Sequence, residues 1–183
     1  MKLVVLCVLA FAAAAVKAEA GISDDVPKNS RAEILKEAYN LEGHSEGGRF
    51  AEVYTSPDDK DERSLAGSIY FLLDGGEISH FHQIDCDEIW YYHEGCGMKI
   101  TVLDGAGKKE YRLGADVSNG ERHMIVIPKG VIFAAENLSK DSYTFVSCAT
   151  SPKFRYEGFR LVGKNEIREK FPDIADEIEY LAY

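Results

Sequence analysis

Between Arg49 and Ala149 the sequence is cut into short runs rich in Val, Ile, Tyr and Phe by Asp74-Gly75-Gly76, Asp104-Gly105, Asn119-Gly120 and Lys129-Gly130. Turn pairs of this kind supply the backbone angles that tight turns need, and the β-branched and aromatic runs between them read as strands. The pattern predicts strands near 50–54, 66–73, 77–82, 88–93, 98–104, 109–113, 123–128, 131–136, 143–149 and 158–162. No helix alternates with them, which excludes a doubly wound nucleotide-binding sheet. So many short strands in one domain imply an all-β sandwich or barrel with short flanking helices.

The flanks read differently. Residues 1–20 carry an early Lys, an apolar run from Leu3 to Val16 and the small-residue ending Ala18-Glu19-Ala20. That is the layout of a secretory signal peptide, it is short for a membrane span, and it predicts a secreted, extracellular chain starting at Gly21. Residues 21–48 are expected to form a leader and a short helix running to about Asn40, with Ser30-Arg31-Ala32-Glu33 as a capping box and Ile34, Leu35 and Tyr39 on its apolar side. Residues 49–163 make the barrel, and 164–183 place Ile167, Phe171, Ile174, Ile178 and Leu181 three or four apart around Pro172. Two short helices packed on the barrel follow from that spacing.

Composition narrows the partners. A net charge of −10 with no concentrated basic stretch excludes a nucleic-acid binder, which must neutralise phosphates. Without Cys7 of the leader, three cysteines are left, so at least one of Cys86, Cys96 and Cys148 is unpaired within the chain. A single bridge would join Cys86 to Cys96, with Cys148 a buried thiol. Asn137-Leu138-Ser139 is a glycosylation sequon, usable in a secreted protein if exposed. Asp58-Asp59-Lys60-Asp61-Glu62 lacks calcium-loop spacing and reads as a solvated loop.

The chemistry-bearing stretch is Ser79-His80-Phe81-His82 through Glu88-Ile89-Trp90-Tyr91-Tyr92. On a regular strand His80 and His82 face the same way, and Glu88 can return on the next strand. Two imidazoles and a carboxylate form a three-ligand site for one divalent metal, Fe, Mn, Zn or Ni; the competing reading is a hydrogen-bonded cluster with no cofactor. Without metal, His82 is the candidate base, Glu88 its orienting carboxylate, and Tyr92 or a water the acid. Glu88, Trp90 and Tyr92 share one strand face, so Trp90 is a candidate ligand-binding wall, and Tyr70, Phe133 and Cys148 are expected to line the same cavity. His44, His93 and His123 are expected to be surface or hydrogen-bonded residues.

These residues resemble the first motif of the cupin superfamily, running from Asp74-Gly75 through His80, His82 and Glu88 to Gly95 with one extra residue before the Glu. The second motif is echoed by Gly120, Pro128-Lys129-Gly130 and Asn137, with Phe133 where the fourth metal ligand would stand. Leu41-Glu42-Gly43-His44 to Phe50, Ile69 to Leu73, Asp87 to Trp90, Leu113-Gly114, Gly120-Glu121 and Val146 to Pro152 narrow the resemblance to one small cupin family once catalogued as a domain of unknown function. What it implies is a double-stranded β-helix, the jelly-roll cupin barrel, paired as a homodimer with a small-molecule pocket inside. Gln83 stands where a basic residue is common in that family, which removes a cation for an anionic substrate. The function expected is isomerase or epimerase-type acid/base chemistry on a small organic molecule. The alternatives are a metal-dependent dioxygenase using His80, His82 and Glu88, and a non-catalytic carrier or storage-like protein.

Overall fold

A computed structural model describes residues 28–183. The leader and the expected start at Gly21 lie outside the described residues. In chain order the elements are α1 (Lys28–Ala38), β1 (Glu42–Gly43), β2 (Arg49–Thr55), β3 (Asp59–Lys60), β4 (Arg63–Ser64), β5 (Gly67–Asp74), β6 (Ile78–Gln83), β7 (Asp87–Gly95), β8 (Met98–Asp104), β9 (Gly107–Leu113), β10 (Met124–Ile127), β11 (Ile132–Asn137), β12 (Tyr143–Ser151), β13 (Arg160–Leu161), α2 (Lys164–Lys170) and α3 (Ala175–Ile178). Every strand read from the sequence is present, each end within two residues of its expected position.

Two antiparallel sheets face each other, one ordered β1-β2-β5-β12-β7-β10 and the other β13-β6-β11-β8-β9. This is the jelly-roll arrangement, and no helix among the described residues is long and apolar enough to cross a membrane. Inward side chains of both sheets, among them Phe71, Trp90, Ile100, Ile127, Phe133 and Val146, form the inner core. The outer face of the smaller sheet presents Phe81, Leu103, Ile132 and Ala134 to Ile167, Ile178 and Leu181, so the C-terminal helices do pack on the barrel. Each large apolar side chain buried there contributes about 1.5–3 kcal/mol.

Four local expectations need correction. Ser30 falls within α1 instead of capping it, and Glu33 Oε1 accepts from Lys36 Nζ at 2.8 Å. The face α1 buries is Ala32 and Leu35, while Ile34 stays half exposed and Tyr39 stacks on Phe145. The acidic run is a hairpin, β3 to β4, turning through Asp61 and Glu62 at φ +55° and +61°. Both turn residues have the positive φ of a two-residue hairpin turn without a glycine, so the sequence carried no turn signal. Cys86, Cys96 and Cys148 are all free. Cys86 and Cys96 flank the nine residues of β7. A strand rises about 3.3 Å per residue, which holds the two far beyond the ~7 Å that a disulfide spans.

The sequon is also closed off. Asn137 is 9% exposed, and its Nδ2 donates to the carbonyls of Leu73 at 3.1 Å, Gly75 at 3.0 Å and Ser142 at 3.4 Å. It ties the β11 end to the turns after β5 and before β12. Intact-mass analysis of protein secreted from a glycosylating host is expected to show no glycan at Asn137. Asn137→Ala, which orphans these acceptors, is expected to cost about 2–4 kcal/mol in chemical denaturation. A glycan there, or a neutral substitution, contradicts this role.

Candidate active site

The register of the larger sheet lays out one wall of the cavity row by row. Phe50, Phe71 and Val146 sit side by side, then Glu52, Ile69, Cys148 and Trp90, then Gly67, Thr150 and Glu88. Period-two alternation points these rows inward together. The opposite wall comes from β6, and its geometry departs from a regular strand. Phe133 pairs with His82 and Ala135 with Ser79, so β6 fits one residue more than β11 between those two pairs. This β-bulge turns Ser79 and His82 to the inside and puts His80 and Phe81 on the outside.

The bulge separates the two histidines. His82 is 2% exposed and lines the cavity, whereas His80 Nδ1 lies 3.2 Å from the Leu181 carbonyl beneath the C-terminal helices. The place of the expected second imidazole is taken by Glu46, which lies outside the His80-to-Glu88 stretch. Glu46 Oε1 accepts from the Ser79 hydroxyl at 2.8 Å, and Oε2 lies 3.2 Å from His44 Nδ1 and 3.4 Å from His82 Nε2. The loop that delivers it lies against β6, its Glu46 carbonyl accepting from His80 N–H at 2.8 Å. Gly47 makes that approach feasible: at φ +109° a Cβ would sit 2.0 Å from the Ile78 carbonyl oxygen.

The cavity encloses about 260 Å³ between His44, Glu46, His82, Glu88, Trp90, Cys148 and the rings of Phe50, Phe71, Phe154 and Tyr156. Its two buried carboxyls are driven apart. Desolvation and the neighbouring Glu46 charge push Glu88 up to about 8, only partly offset by the Trp90 and Cys148 side chains beside it. Burial pushes Glu46 up as well, but the His82 charge, His44 and the Ser79 hydroxyl outweigh it and hold Glu46 below the ordinary carboxylate range. At neutral pH Glu88 is therefore an acid with a proton to give, and Glu46 a carboxylate. Burial, with Glu88 and Glu46 adding, raises the Cys148 thiol well above its usual range, so it is inert packing.

The other expected residues divide cleanly. Trp90 and Cys148 line the cavity; Phe133 packs on the His82 ring with centroids 4.1 Å apart. Tyr70 faces outward, against Tyr39, Phe145 and His93. Tyr92 shares the Trp90 face, but its hydroxyl donates to the Gly95 carbonyl at 2.7 Å and does not border the cavity. His44, expected to be a surface or hydrogen-bonded residue, is paired with Glu46 and sits at the cavity mouth amid Phe50, Phe154, Tyr156 and Phe159. The Gly-flanked His44-Ser45-Glu46, an imidazole and a carboxylate two apart, was the signal available in the sequence.

A metal does not fit the residues present. His80 is turned away, the apolar Phe133 ring stacks on His82, and a carboxylate oxygen occupies the space between the two imidazoles that do converge. Among the described residues, no group of three or more His, Cys, Asp or Glu is arranged to hold a metal ion.

Comparison with known proteins agrees with this architecture. A family model described as "Cupin superfamily (DUF985)" matches residues 33–162. An uncharacterized protein of Saccharomyces cerevisiae, YML079W, is 28% identical over 85% of this chain and 88% of its own length. The solved structure of protein SO0799 from Shewanella oneidensis is 34% identical with a TM-score of 0.79, covering 83% of this chain and 97% of that one. A hypothetical protein from Leishmania major is 29% identical with a TM-score of 0.76, over 83% and 98%.

Proposed function

The chain belongs to this family of the cupin superfamily, and we propose that its barrel interior binds a small organic molecule and moves a proton on it as an isomerase or epimerase does. The observation that carries the proposal is the pair of buried carboxyls, Glu46 and Glu88, in one cavity with His82, in surroundings that drive their charge states apart. Environments that push two titratable groups apart mark out the acid and the base.

The His82 Nδ1–H donates to the His80 carbonyl at 2.7 Å, so Nε2 is the nitrogen that exchanges a proton, and His82 is a base in the form that lacks the Nε2 proton. His82 takes a proton from carbon beside a substrate carbonyl, and the Glu46 carboxylate stabilises the imidazolium so formed. Glu88 gives its proton to the carbonyl oxygen, producing a neutral enol. Return of a proton to carbon, and of the oxygen proton to Glu88, completes the shift. Relative to the sequence reading, His82 keeps its role, Glu88 changes from orienting group to acid, and Tyr92 leaves the mechanism.

Incubation in D2O with a panel of small enolisable aldehydes and ketones tests this. Wild type is expected to wash deuterium into at least one of them, and Glu88→Gln, which keeps a hydrogen bond but has no acid proton, to slow the exchange about 100-fold or more. Binding with no exchange anywhere in the panel supports the carrier alternative instead.

Two further elements belong to the same proposal. The leader of residues 1–20 supports export. Met124 and Tyr91, paired across β10 and β7, and Val126 are each more than a third exposed, an apolar surface that supports pairing of two copies. Sedimentation showing only monomer at micromolar protein would remove the dimer.

A further inference from the structure

Trp90 is 1% exposed, and its Nε1 has no hydrogen-bond partner among the described residues. Buried indole N–H groups normally find an acceptor; the Glu88 carboxyl beside this one falls short of hydrogen-bond geometry, so a ligand oxygen placed between the two can take the N–H. It lies beside the Glu88 carboxyl, in the wall of the cavity. We propose that the Trp90 N–H is the ligand's anchor and that the cavity takes an uncharged, flat carbonyl compound, such as an aromatic amide or ketone, while rejecting carboxylates and phosphates.

The charge distribution supports the second half. The cations at the cavity wall are already committed: Lys153 Nζ lies 2.7 Å from Glu52 Oε2, and Arg155 Nη2 lies 3.2 Å from Asp85 Oδ2. Inside, the two imidazoles face the Glu46 carboxylate. An anion brought in meets that negative charge in a desolvated space, with no unpaired Lys or Arg among the lining residues to offset it. The walls are Phe50, Ile69, Phe71 and the indole itself, which favour a flat ring. At about 260 Å³ the space is below the usual range for drug-sized ligands and suits a single ring with its substituents.

The inference rests on the same cavity as the proposed function and names what would enter it. Trp90 is the chain's single tryptophan, so its emission reports on the site directly. With wild-type protein at neutral pH, benzamide is expected to change Trp90 emission saturably and to bind at least about tenfold more tightly than its charged isostere benzoate. By calorimetry, Trp90→Phe is expected to weaken benzamide at least about fivefold more than it weakens toluene, since both ligands lose the pyrrole part of the wall but only benzamide loses the N–H.

Equal or tighter benzoate binding, no saturable benzamide effect up to millimolar concentration, or equal weakening of benzamide and toluene in Trp90→Phe would overturn the inference. The amide-to-carboxylate comparison needs no variant and so does not depend on how Trp90→Phe folds. Benzamide selectivity without deuterium exchange sinks the proton-transfer reading alone; exchange with a preference for benzoate sinks this one alone.

Discussion

Glu46→Gln is expected to slow deuterium exchange about 10²–10⁴-fold, as much as His82→Gln does, although Gln preserves the size of the side chain and an acceptor for the Ser79 hydroxyl. The reason is that His82 and Glu46 work as one unit. Once His82 accepts a proton, an imidazolium stands in a desolvated cavity, and only the carboxylate 3.4 Å away compensates it. Groups that act as a unit are non-additive, so the double variant should be little worse than either single one. Glu46→Gln within about threefold of wild type, or a double variant that multiplies the two losses, would contradict the shared role.

The second large effect is on stability. Glu88 has a folded-state value of about 8 against an ordinary 4.5. Between those limits the folded chain holds a proton that the unfolded chain has released. Stability from this group is thus fully present below about pH 4.5 and is lost as pH rises through about 8, at about 1.4 kcal/mol per pH unit. Several kcal/mol are at stake across the window. Glu46 has the opposite sign: its value is lowered on folding, so its contribution is present above the ordinary range and lost at acid pH. In denaturant titrations from pH 5 to pH 8, wild type is expected to weaken steadily relative to Glu88→Gln. Parallel curves for the two proteins would show that Glu88 ionises normally.

The fold was legible because its punctuation is local. Turn pairs and β-branched runs fixed the strands, and the spacing from Ile167 to Leu181 identified the helices that cover the smaller sheet. The site was half legible. Glu88, Trp90 and His82 face the cavity as alternation requires, but alternation also placed His80 there. A β-bulge is a mismatch between two strands, here β6 against β11, so nothing within the His80-Phe81-His82 stretch announces it. Tyr70 failed for a related reason: along β5 it is Ile69 and Phe71 that point inward, and the sequence does not say which parity is buried when both are apolar.

Glu46 lay further out of reach. It arrives on a glycine-bearing loop, and only the folded contact between that loop and β6 brings His44 and Glu46 to His82. The cysteines and Asn137 teach the same lesson, since spacing along the chain does not report distance across a strand or burial at its end.

At neutral pH one cavity holds a neutral carboxyl, Glu88, beside an ionised one, Glu46. Carbon-13 NMR titration of protein labelled at glutamate Cδ, with Glu46→Gln and Glu88→Gln assigning the two resonances, measures this directly. The expected result is a Glu88 midpoint near 8 and a Glu46 midpoint below 4.5. Both carboxyls titrating together near 4.5, as ordinary glutamates do, would contradict it.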